Sequence, residues 1–144
     1  MTKFIDGQII DASKLKEAID FVNSLDYWAV LEHRIDGELK YKVVKFSDEI
    51  VREIVQKQLT DAVQRVLDNK AQELLYDNCL SVCSYIETGV QKFDDEGKAF
   101  RAWRSAVWAK GYEILAQVQA GQREIPTEEE LIAELPELVI EYAE

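Results

Sequence analysis

Three features of this sequence predict a mainly α-helical α+β fold with a small N-terminal β-hairpin. The segment YWAVLEHRIDGELKYKVVKF sets Asp36-Gly37 between two runs rich in β-branched and aromatic residues. That is a strong local hairpin signal. From residue 47 onward apolar residues recur every three or four positions, which is helical spacing. The third feature is bulk: 144 residues at 47% apolar content can pack one domain with a small appendage, and two full domains would need more chain. The change of period divides the chain into residues 1–46, a short helix plus hairpin, and residues 47–144, a helical domain with an acidic C-terminal tail.

The elements follow in order. Asp11 precedes Leu15, Ala18, Ile19 and Val22, so it caps a short helix over about 12–24. Strands are expected over 27–34 and 38–46. A two-stranded ribbon is marginal alone, so one of its faces must rest on a helix or on another chain. Ser47, Asp48 and Glu49 open the next helix with a cap and acids at the positive end of its dipole. Val51, Val55, Leu59, Ala62, Val63, Val66 and Leu67 keep helical spacing, and Leu74, Leu75, Cys79, Val82 and Ile86 resume it. A break near Asp68-Asn69-Lys70 would split this run, though no residue there forces one, and Thr88-Gly89 ends it. Asp94, Asp95 and Glu96 are expected to begin the next helix. Its stripe is Phe100, Trp103, Val107, Ile114 and Val118, and Gly121 is its stop. Pro126-Thr127 with Glu130 forms a capping box, and Pro136 closes a helix of about two turns.

Charge narrows the function classes. Acids outnumber bases 28 to 17, giving −11 at neutral pH, with a pI near 4.6 and a mean hydropathy of −0.24. Phosphate contacts need a basic face, so neither direct nucleic-acid binding nor anionic-membrane binding is expected. Residues 122–144 carry eight glutamates against Arg123 and hold −7 of that charge. A charge run of this kind is usually a solvated helix face. The opening residues carry no apolar core of signal-peptide length, so synthesis in the cytosol is expected.

Catalytic and metal chemistry find few residues to work with. His33 is the single histidine and falls in a strand, without a nucleophile elbow or glycine loop. An exposed strand histidine is the expected outcome. Cys79 and Cys83 stand one helical turn apart on the same face and are expected as reduced, structural thiols; a zinc site would want four ligands, with more cysteine and histidine than this. The glycines form no phosphate-cradling motif. Asp94, Asp95 and Glu96 are better explained by the helix dipole than by acid–base work. No enzyme, cofactor or metal is expected.

The aromatic residues carry more information. Trp103, Arg104, Trp108 and Tyr112 spread over broad neighbouring faces of one helix, with more aromatic surface than one core stripe needs. Two readings fit and do not exclude one another: the helix packs on both sides, and the excess forms a protein interface, where Trp, Tyr and Arg are enriched. With Tyr27 and Trp28 at the start of the hairpin, Trp103, Trp108 and Tyr112 form the candidate partner-binding set.

Several motifs of the C-terminal half belong together: Tyr76-Asp77, Ser81 to Tyr85, Phe93 to Gly97, Trp103 to Trp108, Ala120 to Arg123 and Pro126 to Pro136. In this combination the segment resembles a C-terminal region of small proteins encoded among the tail and tail-fibre genes of tailed phages. Phe4-Ile5-Asp6-Gly7-Gln8 with Asp11-Ala12 is similar to N-terminal segments of some tail and fibre components. Residues 24–70 carry no such resemblance. The resemblance implies a phage or prophage protein of the tail or tail-fibre apparatus, either a virion component or an assembly chaperone, with no catalytic residues. The implied partner is a tail or tail-fibre protein, or a second copy of the chain. The implied location is the host cytoplasm during assembly, and the virion tail for a structural component. The rival expectation is an acidic phage-encoded inhibitor of a host nucleic-acid-binding defence system, which would bind a basic protein in a salt-sensitive way.

Trp108→Ala separates interface from core. An interface Trp108 costs about 2 kcal/mol of binding or more on truncation and leaves the thermal melt cooperative. A variant that loses its cooperative melt assigns Trp108 to the core.

Overall fold

The computed structural model describes residues 3–143. Met1, Thr2 and Glu144, the last of the tail glutamates, lie outside the described residues. The chain forms two compact units, Met1–Val55 and Gln56–Glu144.

The first unit is a three-stranded antiparallel sheet with one helix. Strand β1 is Ile9–Ile10, helix α1 is Leu15–Asn23, β2 is Trp28–Ile35 and β3 is Glu38–Lys45, in sheet order β1-β3-β2. Asp36 and Gly37 both have positive φ, 50° and 80°. The two-residue loop is therefore of the type whose twist matches its strands, and glycine takes the second position without strain. Asp11 caps a single 3-10 turn over Ala12–Lys14 before α1 begins, its carboxylate accepting from Ser13 N, so the expected helix starts later than its cap. The third strand extends the expected hairpin: Gly7 N donates to Val43 O at 2.7 Å and Val43 N to Gln8 O at 2.9 Å. Helix α1 buries Ala18 and Val22 against Phe4, Ile10 and Val43, with Phe21, Trp28, Val30 and Tyr41 packed around them. The ribbon thus rests one face on a helix of its own chain.

Helix α2, Asp48–Glu73, runs on through the division between the units. Ser47 Oγ accepts from Ile50 N at 3.3 Å, as a cap should. No break occurs at Asp68–Lys70. The helix ends instead where Leu75 turns left-handed, at φ 70°. Asp68 serves the joint that follows, its carboxylate accepting from Cys79 N at 3.0 Å. Asn78 then caps a five-residue helix, α3, Cys79–Cys83, so the expected second helical run shortens to this piece and a series of turns. Helix α4, Gln91–Gln119, starts three residues before the acidic run. Thr127 Oγ accepts from Glu130 N and opens α5, Glu128–Glu134. The core of this second unit joins Val63, Leu67 and Ala71 of α2 with Cys79 and Val82 of α3. Phe100, Trp103, Val107 and Ile114 of α4 complete it with Leu131 and Leu135.

Gly97 lies where α3 meets α4. A Cβ there would stand 2.8 Å from Ile86 Cγ1 and 3.0 Å from Val82 O. The carbonyl is backbone and cannot swing aside. Gly97→Ala is expected to lower unfolding stability by about 1–3 kcal/mol, as overpacking does, although alanine is the better helix former; a urea melt at neutral pH measures it.

Candidate functional site

The second unit has a polar centre. Glu96 is 2% exposed, yet it lies in phase with the apolar stripe of α4, four residues before Phe100 and seven before Trp103. Both carboxylate oxygens are occupied. Tyr76 donates its hydroxyl to Oε1 at 3.1 Å, and Tyr142 donates to Oε2 at 3.1 Å. Burial of a carboxyl group without such donors would cost several kcal/mol. Tyr76, Tyr85 and Phe93 meet edge-on with centroids 5.3–6.2 Å apart. The two neighbouring acids also have tertiary duties. Asp94 Oδ1 accepts from Glu87 N at 2.7 Å, and Asp95 Oδ2 accepts from Ala143 N at 2.9 Å. The acidic triplet expected merely to offset a helix dipole therefore ties the chain to α4 at three places, Tyr76, Glu87 and Tyr142 with Ala143.

Burial and the Glu96 hydrogen bond push the Tyr76 phenol up to about 12, and the same causes raise Tyr142. Burial also pushes the Cys79 thiol up to about 12. Cys79 and Cys83 are both free thiols, Cys79 buried and Cys83 half-buried, and a protonated buried thiol is a poor nucleophile at neutral pH. Among the described residues, no three His, Cys, Asp or Glu side chains gather as a metal site would need.

A groove lies on the same unit. Trp103 stands at its floor, its indole Nε1 donating to Pro136 O at 2.7 Å. About 570 Å³ of space is lined by Val66, Asn69, Lys70 and Glu73 of α2, by Trp103, and by Ile132, Leu135, Pro136, Glu137 and Leu138. Two ion pairs hold α5 in place as a wall: Arg65 with Glu128 at 3.0 Å, and Arg123 with both carboxylate oxygens of Glu134 at 3.0 and 2.8 Å. The groove is lined about equally by apolar side chains such as Val66, Ile132, Leu135 and Leu138 and by the polar ones Asn69, Lys70, Glu73 and Glu137. Its rim carries charge, including the Lys70–Glu73 pair at 3.1 Å.

The five aromatic candidates take different positions. Trp103 is 7% exposed and stacks edge-on against Phe100 at 5.5 Å, so it belongs to the core and shows a partner little more than the groove floor. Trp108 is half-buried against that core. Tyr112 is 68% exposed. In the first unit Trp28 is half-buried, edge-on to Phe21 at 5.5 Å. Tyr27 is also half-buried, in the left-handed region at φ 63°, and its carbonyl accepts from Phe46 N at 2.9 Å. Only Tyr112 has the exposure of a free contact residue. His33 is half-buried rather than exposed, and its register partner is Lys40 of β3. Residue-by-residue reasoning missed Glu96 and the groove walls at Ile132 and Leu138. The signal for Glu96 was its phase, since a carboxylate in step with Phe100 and Trp103 must turn inward with them.

No protein-family model, curated protein or solved structure matches the chain. Among the described residues no helix is long and apolar enough to cross a membrane.

The phenol and thiol protons make stability alkali-sensitive. Folding raises the Tyr76 phenol from 10.0 to about 12 and the Cys79 thiol from 9.0 to about 12. The folded chain therefore holds both protons more tightly than the unfolded chain does. Their contribution is whole below pH 9 and is lost as pH rises through 12. Urea midpoints are expected to fall across that window. Tyr76→Phe is expected to cost about 1 kcal/mol at pH 7 and to flatten the fall above pH 10.

Proposed function

We propose that this chain is a non-enzymatic protein of the tail or tail-fibre apparatus of a tailed phage or prophage, acting by binding. Its helical unit receives an apolar segment of a tail or tail-fibre protein in the Trp103 groove. The observation that supports this reading is the groove itself, which sets the apolar side chains Val66, Ile132, Leu135 and Leu138 beside the charged Lys70, Glu73 and Glu137, a mix that suits a protein contact. It falls within residues 66–138, largely the stretch whose motifs resemble phage tail-region proteins. Tyr112 offers a further exposed aromatic on the same unit. The working location is the host cytoplasm during assembly, and the virion tail where the protein stays in the particle.

The rival, an acidic inhibitor of a host nucleic-acid-binding system, draws on the glutamate-rich tail. Two of those glutamates, Glu128 and Glu134, are already engaged by Arg65 and Arg123, which weakens the tail as a free anionic surface.

Mass spectrometry of purified particles beside the infected-cell lysate separates virion component from assembly factor. A small-integer ratio to a tail protein in particles marks a component. Presence in the lysate alone marks an assembly factor or an inhibitor. The groove is tested by Ile132→Lys, at a side chain 36% exposed on its wall. This variant is expected to keep the wild-type melt and to lose capture of the tail partner by about tenfold or more. Wild-type capture should survive high salt, because apolar contact carries it. Capture that collapses with salt, or that Ile132→Lys leaves intact, removes the groove from the function.

A further inference from the structure

The sheet of the first unit has one long open edge. Strand β2 lies at the side of the sheet away from β1 and, among the described residues, pairs only with β3. The two-residue turn makes Ile35 and Glu38 a hydrogen-bonded pair, and such pairs alternate along an antiparallel ladder. The bond from Phe46 N to Tyr27 O falls in the same phase. Ile35, His33, Leu31 and Ala29 thus turn their backbone groups toward β3. Arg34, Glu32, Val30 and Trp28 turn theirs to the open edge. Side chains divide in the same rhythm. Trp28 and Val30 pack beneath α1, while Leu31 and Ile35, on the face α1 does not cover, are 50% and 39% exposed. The strand is half-buried from Trp28 to Val30 and mostly exposed from Leu31 to Ile35.

An exposed edge bearing apolar side chains invites another strand unless charge or shape repels it. Here the charges select the partner. Glu32 and Arg34 carry opposite signs two residues apart on one face, so the edge complements a reversed copy of itself about His33. In that register Glu32 faces Arg34 of the second copy, and the pair recurs by symmetry. Leu31 faces Ile35, again twice. The backbone groups of residues 32 and 34 meet as hydrogen-bonded pairs. A register centred on Glu32 would set the two carboxylates opposite each other, which destabilises a sheet. One centred on Leu31 would face Glu32 with Val30 and leave both charges without a partner.

We propose that β2 is a homodimer edge, at which two copies join antiparallel about a two-fold axis at His33 to make one continuous six-stranded sheet. The interface is isologous, each copy giving and receiving the same contacts. It is independent of the groove on the helical unit.

Analytical ultracentrifugation of the full chain tests the edge and its register together. Wild type is expected to be dimeric at micromolar concentration. Glu32→Arg and Arg34→Glu each bring like charges face to face twice, and each should weaken the dimer by about tenfold or more. The double variant E32R/R34E restores opposite charges and should restore the dimer. The sharper arm is a mixture. E32R presents two arginines and R34E two glutamates, so the mixed pair should dimerise where neither does alone. Circular dichroism confirms that each variant is folded, and the mixture decides the register if the double variant fails to fold. A wild type that stays monomeric overturns the proposal, and leaves the edge to a strand of another protein. Single variants that remain dimeric place the interface elsewhere and also overturn it. A mixture that stays monomeric overturns the register.

Discussion

The helical unit depends on satisfying one buried carboxyl group. Glu96 lies within a unit that otherwise buries apolar side chains such as Phe100, Trp103 and Cys79, and water does not reach it. Its two oxygens must find donors inside the protein. The donors come from two separate stretches of the unit: Tyr76 from the joint between α2 and α3, Tyr142 from the segment after α5. One acid therefore sets where two distant stretches of chain lie against α4. The glycine beside it has a matching role, because α3 can come close to α4 only where no side chain intervenes. The adjacent Glu96 and Gly97 thus serve α4 in two ways, one as a polar anchor for Tyr76 and Tyr142 and the other as the gap that admits Val82 and Ile86. The seating of residues 136–143, and with it the groove wall above Trp103, follows from this.

The N-terminal unit is organised by a different constraint, coverage. Nine residues of α1 bury only Ala18 and Val22, enough to shield one face of a small sheet near Val43. On the other face Leu31 and Ile35 of β2 stay 50% and 39% exposed. A unit of this size cannot cover both faces of its sheet from its own chain. Its edges are treated unequally. The β3 edge is closed by a strand of only two residues, and short edge strands present little to pair with. The β2 edge is long and carries both charge signs, which repels far less than a run of one sign would.

What was legible in the sequence was what short-range physics decides. Asp36-Gly37 demanded left-handed backbone, and both residues have it. Gly121 and Thr127 mark helix ends that need no distant partner, and the stripe from Phe100 to Ile114 is a property of one helix. Strand β1 was hidden because two residues cannot display an alternation, and its partner β3 is remote in sequence. The end of α2 was hidden for a subtler reason. Leu74 and Leu75 continue the apolar pattern, so periodicity runs through the point where the helix stops. The stop is tertiary: Asp68 takes up the Cys79 amide, Leu75 turns left-handed, and Tyr76 is drawn to Glu96. Glu96 itself was masked by its company. In a run of three acids at a helix start, the dipole explains all three, and only phase distinguishes the one that is buried.

The aromatic residues of α4 show why composition alone could not separate core from interface. Each residue turns a helix by 100°. Five residues from Trp103 to Trp108 therefore carry the side chain about 140° around, and four more to Tyr112 add about 40°. The three rings cannot share an environment. The stripe through Phe100 and Val107 takes Trp103 inward, where its N–H must find an acceptor, and the Pro136 carbonyl supplies one. That bond places the chain after α5 beside the ring, so the ring joins the lining of a groove shared between aliphatic and polar side chains. Trp108 falls at the margin of the core, and Tyr112 falls outside it. The aromatic residues of this helix thus divide into a packed indole at the groove, a half-buried one at the core margin, and a phenol that faces solvent.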